Sequence, residues 1–207
     1  MIARILKYMA IDNEQVAIYI PDEADIKAWY TNANPKPDFP YWARVWPAAM
    51  ALSACIVAQQ NIFKGRTIVE LGAGLGLPSL IAAKYAKSVL ITDYITEPFS
   101  YITATIEHHQ YTNCSTAVCN WKNITELPEA DILLLSDINY AAEDIASIVD
   151  VIEFYIKKRT TIFLATPQRI VGRDFMYAVQ QYIQQNETVP VKTGEGEVTI
   201  SLYVLSL

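Results

Sequence analysis

The chain has 207 residues, 52% of them hydrophobic and 18% charged, enough for one domain with a sizeable core and too few for two large ones. That composition excludes a disordered or fibrous chain. The net charge of −6 gives no basic face for phosphates, so a nucleic-acid partner is not expected.

Met1 to Ala10 carries Arg4 and Lys7 but lacks the apolar run of a signal peptide. The longest small-apolar segment, Pro47 to Ala58, is interrupted by Ser53 and falls well short of the ~20 residues a bilayer requires. No membrane partner is therefore expected. Cys55, Cys114 and Cys119 are an odd set at no metal-ligand spacing, which suits reduced, buried thiols in a cytoplasm. The first 45 residues, with Pro35, Pro37 and Pro40, predict a small strand pair and an extended cover segment leading into a helix that Pro47 begins.

From about residue 65 the pattern becomes regular. Thr67–Leu71, Ser88–Thr92, Thr116–Cys119, Ile132–Leu135 and Thr161–Ala165 are short apolar runs that read as buried strands. Pro78–Tyr85, Glu97–His109, Ala141–Lys157 and Arg173–Gln185 read as the helices around them. Such alternation implies parallel pairing through right-handed crossovers, a doubly wound, Rossmann-like α/β sheet with helices on both faces. Thr188–Val191 and Glu197–Leu205, joined across Gly194 and Gly196, predict a closing antiparallel hairpin. His108 and His109 are adjacent, diverge on a helix and cannot share a metal, so no metal is expected.

Glu70-Leu71-Gly72-Ala73-Gly74-Leu75-Gly76 lies between a predicted strand and a predicted helix, the context a glycine motif needs to bind a ligand. The dinucleotide fingerprint G-x-G-x-x-G would place its third glycine at position 77, where Leu77 stands. Glu70 would repel a diphosphate and attract the ammonium of an amino-acid tail. Both departures favour S-adenosylmethionine over NAD. Asp93 ends the next strand 21 positions after Gly72, a spacing suited to ribose hydroxyls of either ligand.

Val45-Trp46-Pro47-Ala48-Ala49, Val69 to Pro78, Thr92-Asp93, Asn120-Trp121 and Leu134 to Tyr140 together resemble the lysine methyltransferase family often called methyltransferase family 16. Bacterial and fungal members often carry the label nicotinamide N-methyltransferase. The resemblance spans about residues 41–170. It implies a seven-stranded fold, with residues 46–207 as the cofactor-binding core. It also implies cofactor contacts from Trp46, Gly72, Ala73, Gly74, Asp93, Trp121 and Ser136, beside Glu70 and Gly76 of the loop. Asn120 stands where many relatives carry an acid, and its amide can take over that bond to the adenine edge.

The resemblance also marks Asp137 and Tyr140, an acid-x-x-aromatic signature directly after the strand Ile132–Leu135. Asp137 is expected to hold the substrate nitrogen and Tyr140 to form an aromatic wall. A carboxylate titrating near ~4 is a weak base for a lysine near ~10.4, so orientation is the expected role. The favoured acceptor is a protein lysine. A small amine or nicotinamide-like ring is the alternative, and an NAD-linked oxidoreductase a further one.

Overall fold

The computed structural model describes residues 2–138, 144–167, 172–194 and 196–207. The chain opens with β1 (Arg4–Ile11) and β2 (Glu14–Pro21), an antiparallel pair in register from Arg4 opposite Pro21 to Ile11 opposite Glu14. The next segment departs from the extended cover expected. Glu23–Asn32 forms α1, whose cap Asp22 accepts the Asp25 amide at 3.0 Å and whose first turn carries Glu23 and Asp25. No residue of α1 is fully buried, so the apolar stripe that betrays most helices is missing. A 3-10 turn over Tyr41–Ala43 then leads into α2 (Pro47–Ala58), followed by α3 (Gln60–Phe63).

Strands and helices then alternate as β3 (Thr67–Leu71), α4 (Leu77–Ala82), β4 (Ser88–Asp93), α5 (Phe99–His109) and β5 (Cys114–Val118). They continue as β6 (Ile132–Ser136), α6 (Ile145–Lys157), β7 (Thr161–Pro167), α7 (Gly172–Val179), β8 (Ile183–Thr193) and β9 (Gly196–Leu205). The expected first residues of α6, 141–143, lie outside the described residues. The seven strands β3–β9 form one sheet in the order β5-β4-β3-β6-β7-β9-β8. Its first five strands in chain order pair in parallel, whereas β9 runs antiparallel to both β7 and β8. From β3 the chain steps out to β4 and β5, then returns to β6 on β3's other side. A crevice opens at such a reversal, outside the carboxyl ends of the strands.

The helix expected over Arg173–Gln185 ends six residues early, at Val179. A 3-10 turn follows over Gln180–Tyr182, and Ile183 starts β8, with a register shift between Ile183 and Gln185. Asn186 and Thr188 are poor helix formers, and the long ladder to β9 satisfies their backbone groups instead.

Side chains alternate across the sheet. Ile68, Leu134 and Phe163 pack beneath α2, α4 and α5, whereas Val69, Leu133, Leu135 and Leu164 pack beneath α6 and α7. Cys114 and Cys119 divide between these two layers, as their five-residue spacing predicts, but both are half-buried rather than fully buried. The N-terminal hairpin docks on α5. The Tyr19 amide donates to the Thr105 hydroxyl at 2.9 Å, and His109 Nε2 donates to the Ala17 carbonyl at 2.7 Å. His109 therefore ties α5 to the N-terminal hairpin. Among the described residues no helix is long and apolar enough to cross a membrane.

Candidate functional site

The loop after β3 turns on glycines that no other residue could replace without strain. Gly72, Gly74 and Gly76 have φ of +62°, +53° and +70°, in the left-handed region where a Cβ is disfavoured. Space matters as much as conformation. A Cβ on Gly72 would lie 2.7 Å from the Trp121 ring, and one on Gly76 3.1 Å from Ile91 Cγ2. The Ala73 amide donates to the Thr92 carbonyl at 2.9 Å, which holds the loop against the end of β4.

Asp93, at the end of β4, grips the same loop. Its Oδ2 accepts the Gly74 amide at 2.9 Å and its Oδ1 accepts the Ile95 amide at 3.4 Å. Burial raises its pKa above the usual carboxylate range, and these backbone donors oppose that rise. Across the loop, Trp121 lays its ring edge against Gly72, while its buried Nε1–H has no hydrogen-bond partner among the described residues.

Loop, Asp93 and Trp121 surround a cavity of about 290 Å³ at the carboxyl ends of β3, β4 and β6. Of the expected residues, Trp46, Gly72, Ala73, Gly74, Gly76, Asp93, Trp121, Ser136 and Asp137 line it. Ser136 and Asp137 leave β6 directly into the cavity wall. Asp137 has φ +54°, a conformation its short polar side chain tolerates, and its amide donates to the Ala165 carbonyl at 2.9 Å. Trp46 caps α2, and its Nε1–H donates to the Tyr41 carbonyl at 2.8 Å. Tyr140 lies outside the described residues.

Two of the expected residues, Glu70 and Asn120, do not line the cavity. Glu70 is fully buried and does not line the cavity. Strand alternation explains this. With Val69 and Leu71 facing α6, Glu70 points to the other layer, where its Oε2 accepts the Ser79 amide at 3.1 Å in the first turn of α4. Burial, with a smaller push from the Asp93 charge, raises its pKa to about 8 against the Ser79 hydrogen bonds. Behind the loop and turned to Ser79, this side chain does not face the cavity. Asn120 also stands outside the cavity lining, its Oδ1 accepting the Lys122 amide at 3.0 Å in a side-chain-closed turn.

The cavity also holds residues outside the expected set. Trp42 is buried against Tyr101, with ring centroids 5.7 Å apart, yet its backbone passes 3.5 Å from the position of a Gly74 Cβ. Trp29, Phe39, Tyr41, Arg44, Tyr94 and Glu97 contribute further wall. The cap at Asp22 would have revealed α1, and with it Trp29. Nothing in the sequence signals where residues 37–42 fold.

With glycine loop, acid and tryptophan at one switch point, known proteins become informative. A model of the lysine methyltransferase family matches residues 41–184. The chain belongs to that family. Human histone-arginine methyltransferase METTL23 is 28% identical over 183 residues, covering 78% of this chain and 96% of METTL23. The human electron transfer flavoprotein beta subunit lysine methyltransferase is 30% identical over 152 residues, 69% of this chain and 55% of that protein. Among solved structures, SMU.776, described as a methyltransferase and complexed with SAH, superposes with a TM-score of 0.65 at 10% identity over 98% of this chain and 56% of its own. The N-methyltransferase NodS from Bradyrhizobium japonicum gives 0.59 at 10% identity, over 78% of this chain and 98% of its own.

As a lysine methyltransferase family member with this fold, the chain is an S-adenosylmethionine-dependent methyltransferase, and the NAD-linked alternative falls. The residues present fit that cofactor. The Cβ-free backbone at Gly72, Gly74 and Gly76 admits a ligand at close range, and Asp93 places a carboxylate inside the same cavity.

Proposed function

We propose that this methyltransferase acts on a side-chain nitrogen of a protein, with lysine the favoured residue. One observation carries the reading. A single cavity joins the glycine loop, Asp93 and Trp121 to Ser136 and Asp137 at the end of β6. The first group would hold the nucleoside and amino-acid parts of the cofactor, with Asp93 as ribose acceptor and Trp121 as adenine wall. The second group faces the acceptor. When bound, the cofactor would supply an electrophilic methyl, its bond to sulfur breaking and the thioether leaving as an unprotonated nitrogen bonds to the methyl carbon.

Positioning and exclusion of water therefore dominate the protein's contribution. Asp137 orients the incoming nitrogen and stabilises the positive charge it gains. The named relatives act on proteins, which supports a protein acceptor over a small amine or nicotinamide-like ring. A guanidinium acceptor is the second reading, favoured by the nearly full-length similarity to METTL23.

We also take the chain as one domain, residues 46–207 forming the cofactor core and 1–45 a cover over it. Trp29 and Pro37 to Trp42 on the cavity wall support that division. A cytoplasmic setting is the companion reading. Burial raises the thiols of Cys55 and Cys114 to about 11, which keeps them protonated and unreactive. Radiolabelled methyl transfer into a host lysate, followed by acid hydrolysis and amino-acid analysis, tests the acceptor. Methyl-lysine confirms the favoured reading, methyl-arginine the second, and label confined to small molecules overturns both.

A further inference from the structure

Past the residues that would hold the cofactor, one wall of the cavity is made of rings left in solvent. Phe39 is 52% exposed, Tyr41 48% and Tyr94 50%, yet all three line the cavity. Two of them belong to a continuous aromatic face. Phe39 packs against Tyr30 at 5.5 Å and against Tyr41 at 4.8 Å, and Tyr41 sits 6.1 Å from Trp46. Exposed aromatics at this density mark a binding surface more often than a packing defect.

Charge is distributed to match. Asp38 and Glu97 line the same wall, whereas Arg44 is the single basic side chain among the described residues that do so. The Tyr94 hydroxyl registers this field. Burial first, then the charges of Asp93, Asp38, Glu97 and Asp144, push its pKa up. The rings already accept cations from the chain itself. The Arg44 guanidinium lies 5.1 Å from the Trp46 ring centroid, and Lys36 Nζ lies 4.7 Å from that of Tyr30. An acidic wall faced with rings suits a guest that is positively charged over more than one residue.

We propose that Asp38, Phe39, Tyr41, Tyr94 and Glu97 form an acceptor-selecting lip that takes a basic protein segment, in which the target nitrogen is flanked by further lysines or arginines. The inference rests on the methyltransferase reading, because it places the guest beside the methyl donor. Cation–π contact with Phe39 and Tyr41 would seat one cationic side chain, while Asp38 and Glu97 would draw in its neighbours. The charges are at the surface, so the preference weakens as salt screens them.

Two peptides centred on one lysine test this, one flanked by arginines and one by glutamates, titrated into the full chain saturated with S-adenosylhomocysteine. The basic peptide should bind roughly tenfold more tightly at low salt and lose that advantage as salt rises. The double variant Asp38→Asn, Glu97→Gln and the single variant Phe39→Ala should each weaken the basic peptide about five- to tenfold, a larger change than either makes in the S-adenosylhomocysteine Kd. Equal affinity for the two peptides, binding of neither, or variants that bind the basic peptide like the unaltered chain would overturn the proposal. Failure to bind S-adenosylhomocysteine strikes instead at the methyltransferase reading, so the two failures are distinct.

Discussion

Gly72 and Trp121 meet so closely that a single methyl group between them would lie 2.7 Å from the ring. The contact packs the loop after β3 against the segment after β5, and both residues line the cavity. Gly72→Ala adds that methyl at a φ of +62°. The conformation alone costs roughly 1–2 kcal/mol, and the ring must move as well. We expect a melting temperature lower by several degrees and an S-adenosylhomocysteine affinity reduced at least tenfold in calorimetry. Unchanged affinity would show that the loop does not face the cofactor.

Asp93 serves twice, holding the Gly74 amide at 2.9 Å and presenting its carboxylate to the cavity. Hydrogen bonds to a charged group are worth roughly 1.5–3 kcal/mol. Asp93→Ala should therefore cost about ten- to a hundredfold in S-adenosylhomocysteine affinity. Asp93→Asn keeps an acceptor for the Gly74 amide and should keep the fold, with an intermediate loss of affinity.

Asp137 allows charge to be separated from conformation. Its φ of +54° is tolerated by Asn nearly as well as by Asp. Asp137→Asn should lower kcat by one to two orders of magnitude while S-adenosylhomocysteine affinity stays within a few fold. Parallel loss of both quantities in Asp137→Asn would make the residue architectural.

Glu70 predicts a pH dependence of stability. Its pKa in the folded chain is raised to about 8, from an ordinary value near 4.5. Between these values the folded state keeps a proton that the unfolded state has lost, so stability falls as pH rises from about 4.5 to 8 and levels off beyond. Glu70→Gln removes this dependence. The variant should melt above the unaltered chain at pH near 9 and the difference should shrink toward pH 4. A constant difference across that range would place the titration elsewhere.

How much of this was legible depended on whether a residue's role is written in local pattern. The five parallel strands, the switch point and the glycine turn follow from runs such as Thr67–Leu71 and from Gly72, Gly74 and Gly76, whose roles are set by their immediate neighbours. The helix α1 escaped because it buries nothing fully, and the tail of α7 was overrun because pairing with β9 outweighs helical propensity at Ile183. Glu70 was placed on the correct edge but aimed at the ligand, whereas strand alternation aims it at Ser79. Trp42 is core packing first, buried against Tyr101. Its second role, as cavity wall, depends on where a proline-rich stretch folds back, and no spacing encodes that.

The Trp46 indole is latched to the Tyr41 carbonyl at 2.8 Å, immediately ahead of α2. Residues 37–41 of the cavity wall are thereby tied to the start of α2. Under the proposed acceptor role, redrawing that stretch changes only part of the client surface, because Tyr94 and Glu97 follow β4 and Asp137 follows β6. Retargeting a methyltransferase of this build then calls for edits on both sides of that latch.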